Sequence, residues 1–234
     1  MSCRIASGRV SSCGCPRLQA SIDALADVTD WVAPAPLSRK YTLPDAPNSP
    51  LTPTEVYSTL SAVRPVDSVL VTESMSTMAE QRDWLPTIRS GSFYATASGG
   101  IGWGMPAAVG VALGDRARRV ERTVVATIGD GSFQYSVQAI WTAAAQHDLP
   151  IVFVVMRNKE YSILKAFAVL EKTPGVPGMN LPGLDIVSIA TGFGCRAVHA
   201  ETTAQLAEQF TTALAARRPS VIVVQTQPQM AHLG

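Results

Sequence analysis

Two apolar runs constrain this chain more than any other feature. Residues 123–128 (TVVATI) and 151–156 (IVFVVM) are almost wholly apolar and rich in β-branched side chains, the pattern of strands buried on both faces of a parallel sheet. Between them runs GDGSFQYSVQAIWTAAAQHDLP, residues 129–150. A helix over 132–147 would travel back roughly 24 Å at 1.5 Å per residue, and a strand over 151–157 would advance roughly 23 Å at 3.3 Å per residue. The chain then returns to the edge it left, with Asp130 and Asn158 at the carboxyl ends of two parallel strands. Open α/β sheets bind ligands at that edge.

The flanking sequence continues the alternation. SVLVTE (68–73) reads as a strand, 75–84 as a helix, 97–103 as a glycine-rich turn, 104–113 and 134–147 as helices, and SVIVVQT (220–226) as a final strand. A Pro/Gly-rich loop over 173–183, a short helix near 185–191 and a helix capped by Thr202 with Gln205 three residues on lie before that last strand. Such alternation predicts an α/β fold, an open and mostly parallel sheet with helices on both faces. Its start is marked by Thr52, Pro53 and Glu55, a capping box with proline in the first helical turn. Residues 1–50 read as an irregular Pro-rich segment or linker in which only LQASIDALADVTDW (18–31) suits a helix, 51–228 as one domain, and 229–234 as a tail.

A chain of 234 residues, 47% apolar and 16% charged, is long enough for one such domain with an appendage and short for two. Its formal net charge of +1 offers no basic footprint for nucleic acid or an acidic membrane surface. Cys3, Cys13, Cys15 and Cys195 form neither a disulfide framework nor a zinc pattern, and His147, His199 and His232 have no partner pattern that suggests chemistry. No secretory signal and no apolar stretch of membrane-spanning length is visible, so a cytoplasmic location is expected.

Asp130 and Asn158 offer a carboxylate and an amide oxygen, hard ligands that suit Mg²⁺ when a backbone carbonyl, waters and phosphate oxygens complete the shell. Gly129 and Gly131 permit close backbone approach, and the amides of Gly131 and Ser132 are expected to open a helix whose start favours an anion. A Gly-Asp-Gly turn between strand and helix is also common for structural reasons alone.

The run GDGSFQYSVQAIWTAAAQHDLPIVFVVMRNKEYSILKAFAVL, residues 129–170, resembles the thiamine diphosphate-dependent 2-oxo acid decarboxylases, benzoylformate decarboxylase among them. The resemblance spans about 51–228, the carboxyl-terminal domain that holds the diphosphate end of the cofactor in that family, and implies thiamine diphosphate and Mg²⁺ as cofactors. By matching position, Asp130, the Asn158 side chain and the backbone carbonyl of Glu160 would bind the metal. Arg157 stands where the family usually has a first Asn, a departure that spares the metal-binding second Asn. In TESMSTMAE (72–80), Ser74, Met75 and Ser76 follow Glu73 along the implied cofactor cleft, Ser76 touching the diphosphate. In ASGGIGWGMPAA (97–108), Gly99 would accept from the pyrimidine amine and Ile101 would be the apolar wedge that bends the cofactor. Gly129, Gly131, Ser132 and Tyr161 complete the implied cofactor contacts. In YSILKAF (161–167), Ile163, Leu164 and Phe167 match substrate-facing positions, although residues at helical spacing also suit a core.

The implied reaction is the non-oxidative removal of CO₂ from a 2-oxo acid to give an aldehyde. Members of the family are more than twice this length and carry their activating Glu and proton-shuttling His in an amino-terminal pyrimidine-binding domain. No catalytic side chain is therefore assigned here, and the expected partner is such a domain or subunit within a homo- or hetero-oligomer. The chain by itself is expected to have little or no decarboxylase activity. An acetolactate synthase-type enzyme, a subunit of a split enzyme and a non-catalytic cofactor-binding module remain alternatives.

Overall fold

The computed structural model describes residues 5–6, 9–10, 49–87 and 89–228. Contacts divide the chain into two units, Met1–Ser38 and Arg39–Gly234. In the first, Ile5–Ala6 pairs antiparallel with Arg9–Val10. The helix expected over residues 18–31 and the tail at 229–234 lie outside the described residues.

The second unit is built on six strands: β1 (Val69–Glu73), β2 (Phe93–Ala95), β3 (Val124–Gly129), β4 (Ile151–Arg157), β5 (Arg196–Ala200) and β6 (Ser220–Gln225). They lie in the order β2-β1-β3-β4-β6-β5, with every neighbouring pair parallel. Because side chains alternate across a sheet, the strands feed two cores. Val69, Val71, Val124, Ala126, Ile128, Ile151, Phe153 and Val155 point to one face, where α3 (Gly104–Ala117) and α7 (Ile186–Gly192) pack. Leu70, Val125, Val152, Val154, Ile222 and Val224 point to the other, under α1 (Pro53–Val63) and α8 (Thr203–Ala216). The sheet is thus wholly parallel and covered on both sides.

The expected start signal is present in full: the Thr52 side chain accepts from Glu55 N and the Glu55 carboxylate accepts from Thr52 N at 2.7 Å. At α8, Thr202 accepts from Gln205 N at 3.1 Å.

Three features differ from the sequence expectation. The helix expected over 134–147 is interrupted: a single turn, α4 (Asp130–Phe133), is followed by α5 (Gln138–Trp141) and a π-helical segment, Thr142–His147. Bonds from Gln134 N to Gly131 O and from Tyr135 N to Ser132 O close α4 early. The apolar period runs on through Ile140 and Ala143, so it does not register the change in hydrogen bonding. Strands β2 and β5 are edge strands, partly exposed, and lack the apolar signature of the central ones. Helix α3 runs four residues beyond the expected 113, with Asp115 buried in the added turn. Burial alone would raise the Asp115 carboxyl, but hydrogen bonds and charge from Arg122 and Arg118, the former bidentate at 2.9 and 2.8 Å, hold it below the ordinary value.

Among the described residues no helix is long and apolar enough to cross a membrane.

Phe153 in central strand β4 is fully buried, so Phe153→Ala is expected to lower the unfolding free energy by about 4 kcal/mol. Thr52→Ala, which removes only a cap, is expected to cost about 1 kcal/mol. Urea titrations of the two variants check both the order and the gap.

Candidate functional site

Strand register sets the site. Glu73 pairs with Ile128 and Gly129 pairs with Met156, so the loops that leave β1, β3 and β4 begin level with one another. Between them opens a cleft of about 440 Å³. Every site residue expected from the sequence lines it. Ser74, Met75 and Ser76 come from the turn after β1, and Gly99 and Ile101 from the glycine-rich loop. Gly129, Asp130, Gly131 and Ser132 come from the end of β3 and α4; Asn158, Glu160 and Tyr161 come from the loop after β4. Ile163, Leu164 and Phe167 belong to α6 (Ser162–Leu170), the latter two about half exposed.

Asp130 is the chemical centre of this wall. Gly131 N donates to its Oδ1 at 2.9 Å and Lys159 N, across the sheet edge, donates to its Oδ2 at 2.7 Å. Burial pushes its carboxyl up to about 6, against the lowering effect of those two N–H groups and of the Arg157 charge. The carboxylate is thus held in place by backbone dipoles yet still destabilised by lost solvent, a condition a cation relieves. Lys159 adopts a positive φ of 63° to aim its N–H at Asp130. Asn158 Oδ1 accepts from Glu160 N at 3.1 Å. Among the described residues no three His, Cys, Asp or Glu side chains gather into a metal site, so a cation at Asp130 needs further oxygen from main-chain carbonyls, water or a bound molecule.

The Gly131 N–H, expected to face an anion, is committed to Asp130, and α4 is too short to carry a helix dipole of consequence. What Gly131 supplies is space: an added Cβ would overlap the Tyr161 ring, with Cδ1 only 2.8 Å away. Burial, with Tyr135 beside it, raises the Tyr161 hydroxyl above its ordinary value.

Three further residues shape the site: Glu73, which the resemblance set at the head of the implied cofactor cleft, and Tyr57 and Tyr135, which were not singled out. Glu73, at the end of β1, is 1% exposed, and its carboxylate accepts from Gly102 N at 2.5 Å and from Gly104 N. It thereby fixes the loop that carries Ile101, at the point where Gly102 takes a φ of 101°. Tyr57, from α1, donates or accepts at 2.6 Å with Thr77, whose hydroxyl meets Ser74 at 2.9 Å, bracing the turn after β1 from behind. Burial pushes the Tyr57 hydroxyl up to about 12. Tyr135 lines the cleft from the turn that interrupts the crossover helix. Glu73 carried a sequence signal, its place in TESMSTMAE; Tyr57 and Tyr135 carried none.

Glu73→Gln replaces one acceptor oxygen by a donor facing a backbone N–H. An unfolding free energy lower by about 2 kcal/mol is expected, with faster amide exchange at Gly102 and Gly104. Denaturant titration and hydrogen exchange by NMR check the two effects separately.

Residues 71–224 match the family described as thiamine pyrophosphate enzyme, C-terminal TPP binding domain. The chain is 40% identical over 178 residues to benzoylformate decarboxylase from Pseudomonas aeruginosa, an alignment covering 76% of this chain and 33% of that protein. A candidate thiamin diphosphate-dependent enzyme from Mycobacterium smegmatis, solved by X-ray, superposes with a TM-score of 0.74 at 58% identity over 86% of this chain and 36% of that one. Benzoylformate decarboxylase from Polynucleobacter necessarius superposes with a TM-score of 0.77 at 41% identity over 83% of this chain and 36% of that one. The chain therefore spans about a third of the length of these relatives. The chain belongs to the thiamine pyrophosphate enzymes and carries their C-terminal cofactor-binding domain.

Proposed function

We propose that residues 51–228 hold the diphosphate of thiamine diphosphate through Mg²⁺, as the cofactor-binding part of a 2-oxo acid decarboxylase of the benzoylformate type. The observation that carries this reading is Asp130: a buried carboxylate level with the end of β4, whose hydrogen bonds come from backbone N–H groups. One carboxylate, the Asn158 amide oxygen and the Glu160 carbonyl form an incomplete hard-oxygen set, which suits a cation that keeps waters and phosphate oxygens.

When bound, thiamine diphosphate supplies the electron sink that lets a 2-oxo acid lose CO₂. This chain's residues bind and orient. In this reading Ser76 and Ser132 meet the diphosphate, the Gly99 carbonyl accepts from the pyrimidine amine, and Ile101 and Met75 exclude water beside the ring system. Ile163, Leu164 and Phe167 form an apolar rim toward the organic group of the substrate. Proton transfer and activation of the cofactor fall to a pyrimidine-binding domain or subunit, in a homo- or hetero-oligomer placed in the cytoplasm. The share of its relatives that the chain covers supports that division of labour.

Calorimetry with thiamine diphosphate tests the binding. Saturable binding is expected in Mg²⁺ and none after EDTA. Removing groups that merely orient a metal ligand costs about 10- to 100-fold in affinity, so Asp130→Ala, which removes a ligand itself, is expected to cost more than that. Equal binding with and without Mg²⁺ would sink the cation reading. Decarboxylation of benzoylformate is expected only when a pyrimidine-binding domain is added, and turnover by the chain alone would overturn the proposed division.

A further inference from the structure

We propose that a relay of three side chains, Lys165, Glu160 and Ser162, fixes the amide orientation of Asn158 and so decides which of its atoms is presented to a bound cation. The inference rests on the cation reading above.

Hydrogen-bond polarity sets the orientation. Lys165 Nζ donates to Glu160 Oε2, and Ser162 Oγ donates to Glu160 Oε1 at 2.6 Å. An ionised carboxylate only accepts, and a hydroxyl has one proton. Ser162, 2% exposed, therefore has its proton committed to Glu160 and is left to accept. It accepts from Asn158 Nδ2 at 2.9 Å. Turning the amide over would set its oxygen against the lone pair of Ser162, and its NH₂ against Glu160 N, which now donates to Oδ1 at 3.1 Å. Both bonds would become repulsions. Oδ1, with a second lone pair still free, is thus the atom that can ligate.

The source of this polarity is itself anchored. Lys165 also donates to Asn180 Oδ1 at 2.7 Å, and the backbone ties the same two loops, Leu181 N to Lys159 O at 2.8 Å and Tyr161 N to Met179 O at 2.9 Å. The Pro/Gly-rich loop at 173–183 therefore braces the Asn158 loop from outside. Glu160 thereby has two separable roles: its carbonyl is a proposed ligand, while its carboxylate orients a different ligand.

Substitution of the side chains leaves the carbonyl in place, which makes the relay testable in the full chain. Glu160→Gln introduces an NH₂ that can donate to Ser162 and release the hydroxyl proton toward Asn158, leaving the residue-160 N–H as the one remaining restraint on the amide. Ser162→Ala removes the relay outright. Mn²⁺ binding in the presence of thiamine diphosphate, followed by electron paramagnetic resonance, is expected to weaken about tenfold in both variants and to vanish in Asp130→Asn. Melting temperatures of the metal-free proteins control for folding, and Glu160→Gln decides the matter if Ser162→Ala does not fold. In the metal-free chain the Asn158 side-chain amide signals in ¹⁵N NMR are expected to move in each relay variant, a readout that simple loss of stability does not give. Wild-type Mn²⁺ affinity in folded relay variants, with binding still lost in Asp130→Asn, would overturn the relay and leave the cation reading standing. No Mn²⁺ binding by the wild type would remove the cation reading and the relay's role with it.

Discussion

Parallel pairing of β3 with β4 is the constraint on which the rest of the site depends. Two neighbouring strands that run the same way must be joined by a crossover, so both release their following loops at one edge. Gly129 lies beside Met156, and just past the strand ends Asp130, one residue beyond Gly129, and Asn158, two beyond Met156, emerge over the same cleft. The apolar side chains that make this pairing stable, with Phe153 and Val125 among those fully buried, also hold the edge rigid. The site's geometry is therefore a consequence of core packing on both faces of the sheet, and no loop has to create it alone.

Three buried carboxylates show how differently a fold can treat a charge. Asp115 is answered by two guanidiniums and settles below its ordinary value. Glu73 is answered by two backbone N–H groups of one loop, which turns its charge into a clamp. Asp130 also meets two backbone N–H groups, but its burial still outweighs them and its carboxyl rises to about 6. That residual desolvation sits in the wall of the cleft. Strain of this kind tends to be retained at functional sites.

The cleft combines this polar wall with an apolar one. Met75, Ile101, Ile163 and Phe167 face the same space as Asp130 and Asn158, an arrangement suited to a ligand with an anionic end and a ring system. Membership in the thiamine pyrophosphate enzymes accounts for that combination.

Along the chain, residue spacing by itself determined the central strands, the cap at Thr52, the two-sided burial and the shared level of Asp130 and Asn158, because these follow from periodicity and rise per residue. The family resemblance pointed to many of the residues now found around the cleft, though not to Tyr135, and it said nothing of what holds them. Glu73 and Gly102, 29 residues apart, and Tyr57 and Thr77, 20 apart, meet only once the elements pack. The interruption between α4 and α5 and the partly exposed edge strands were likewise decided by tertiary structure. A hydrophobic pattern records which side of an element is buried; it carries no record of which distant donor will meet which acceptor.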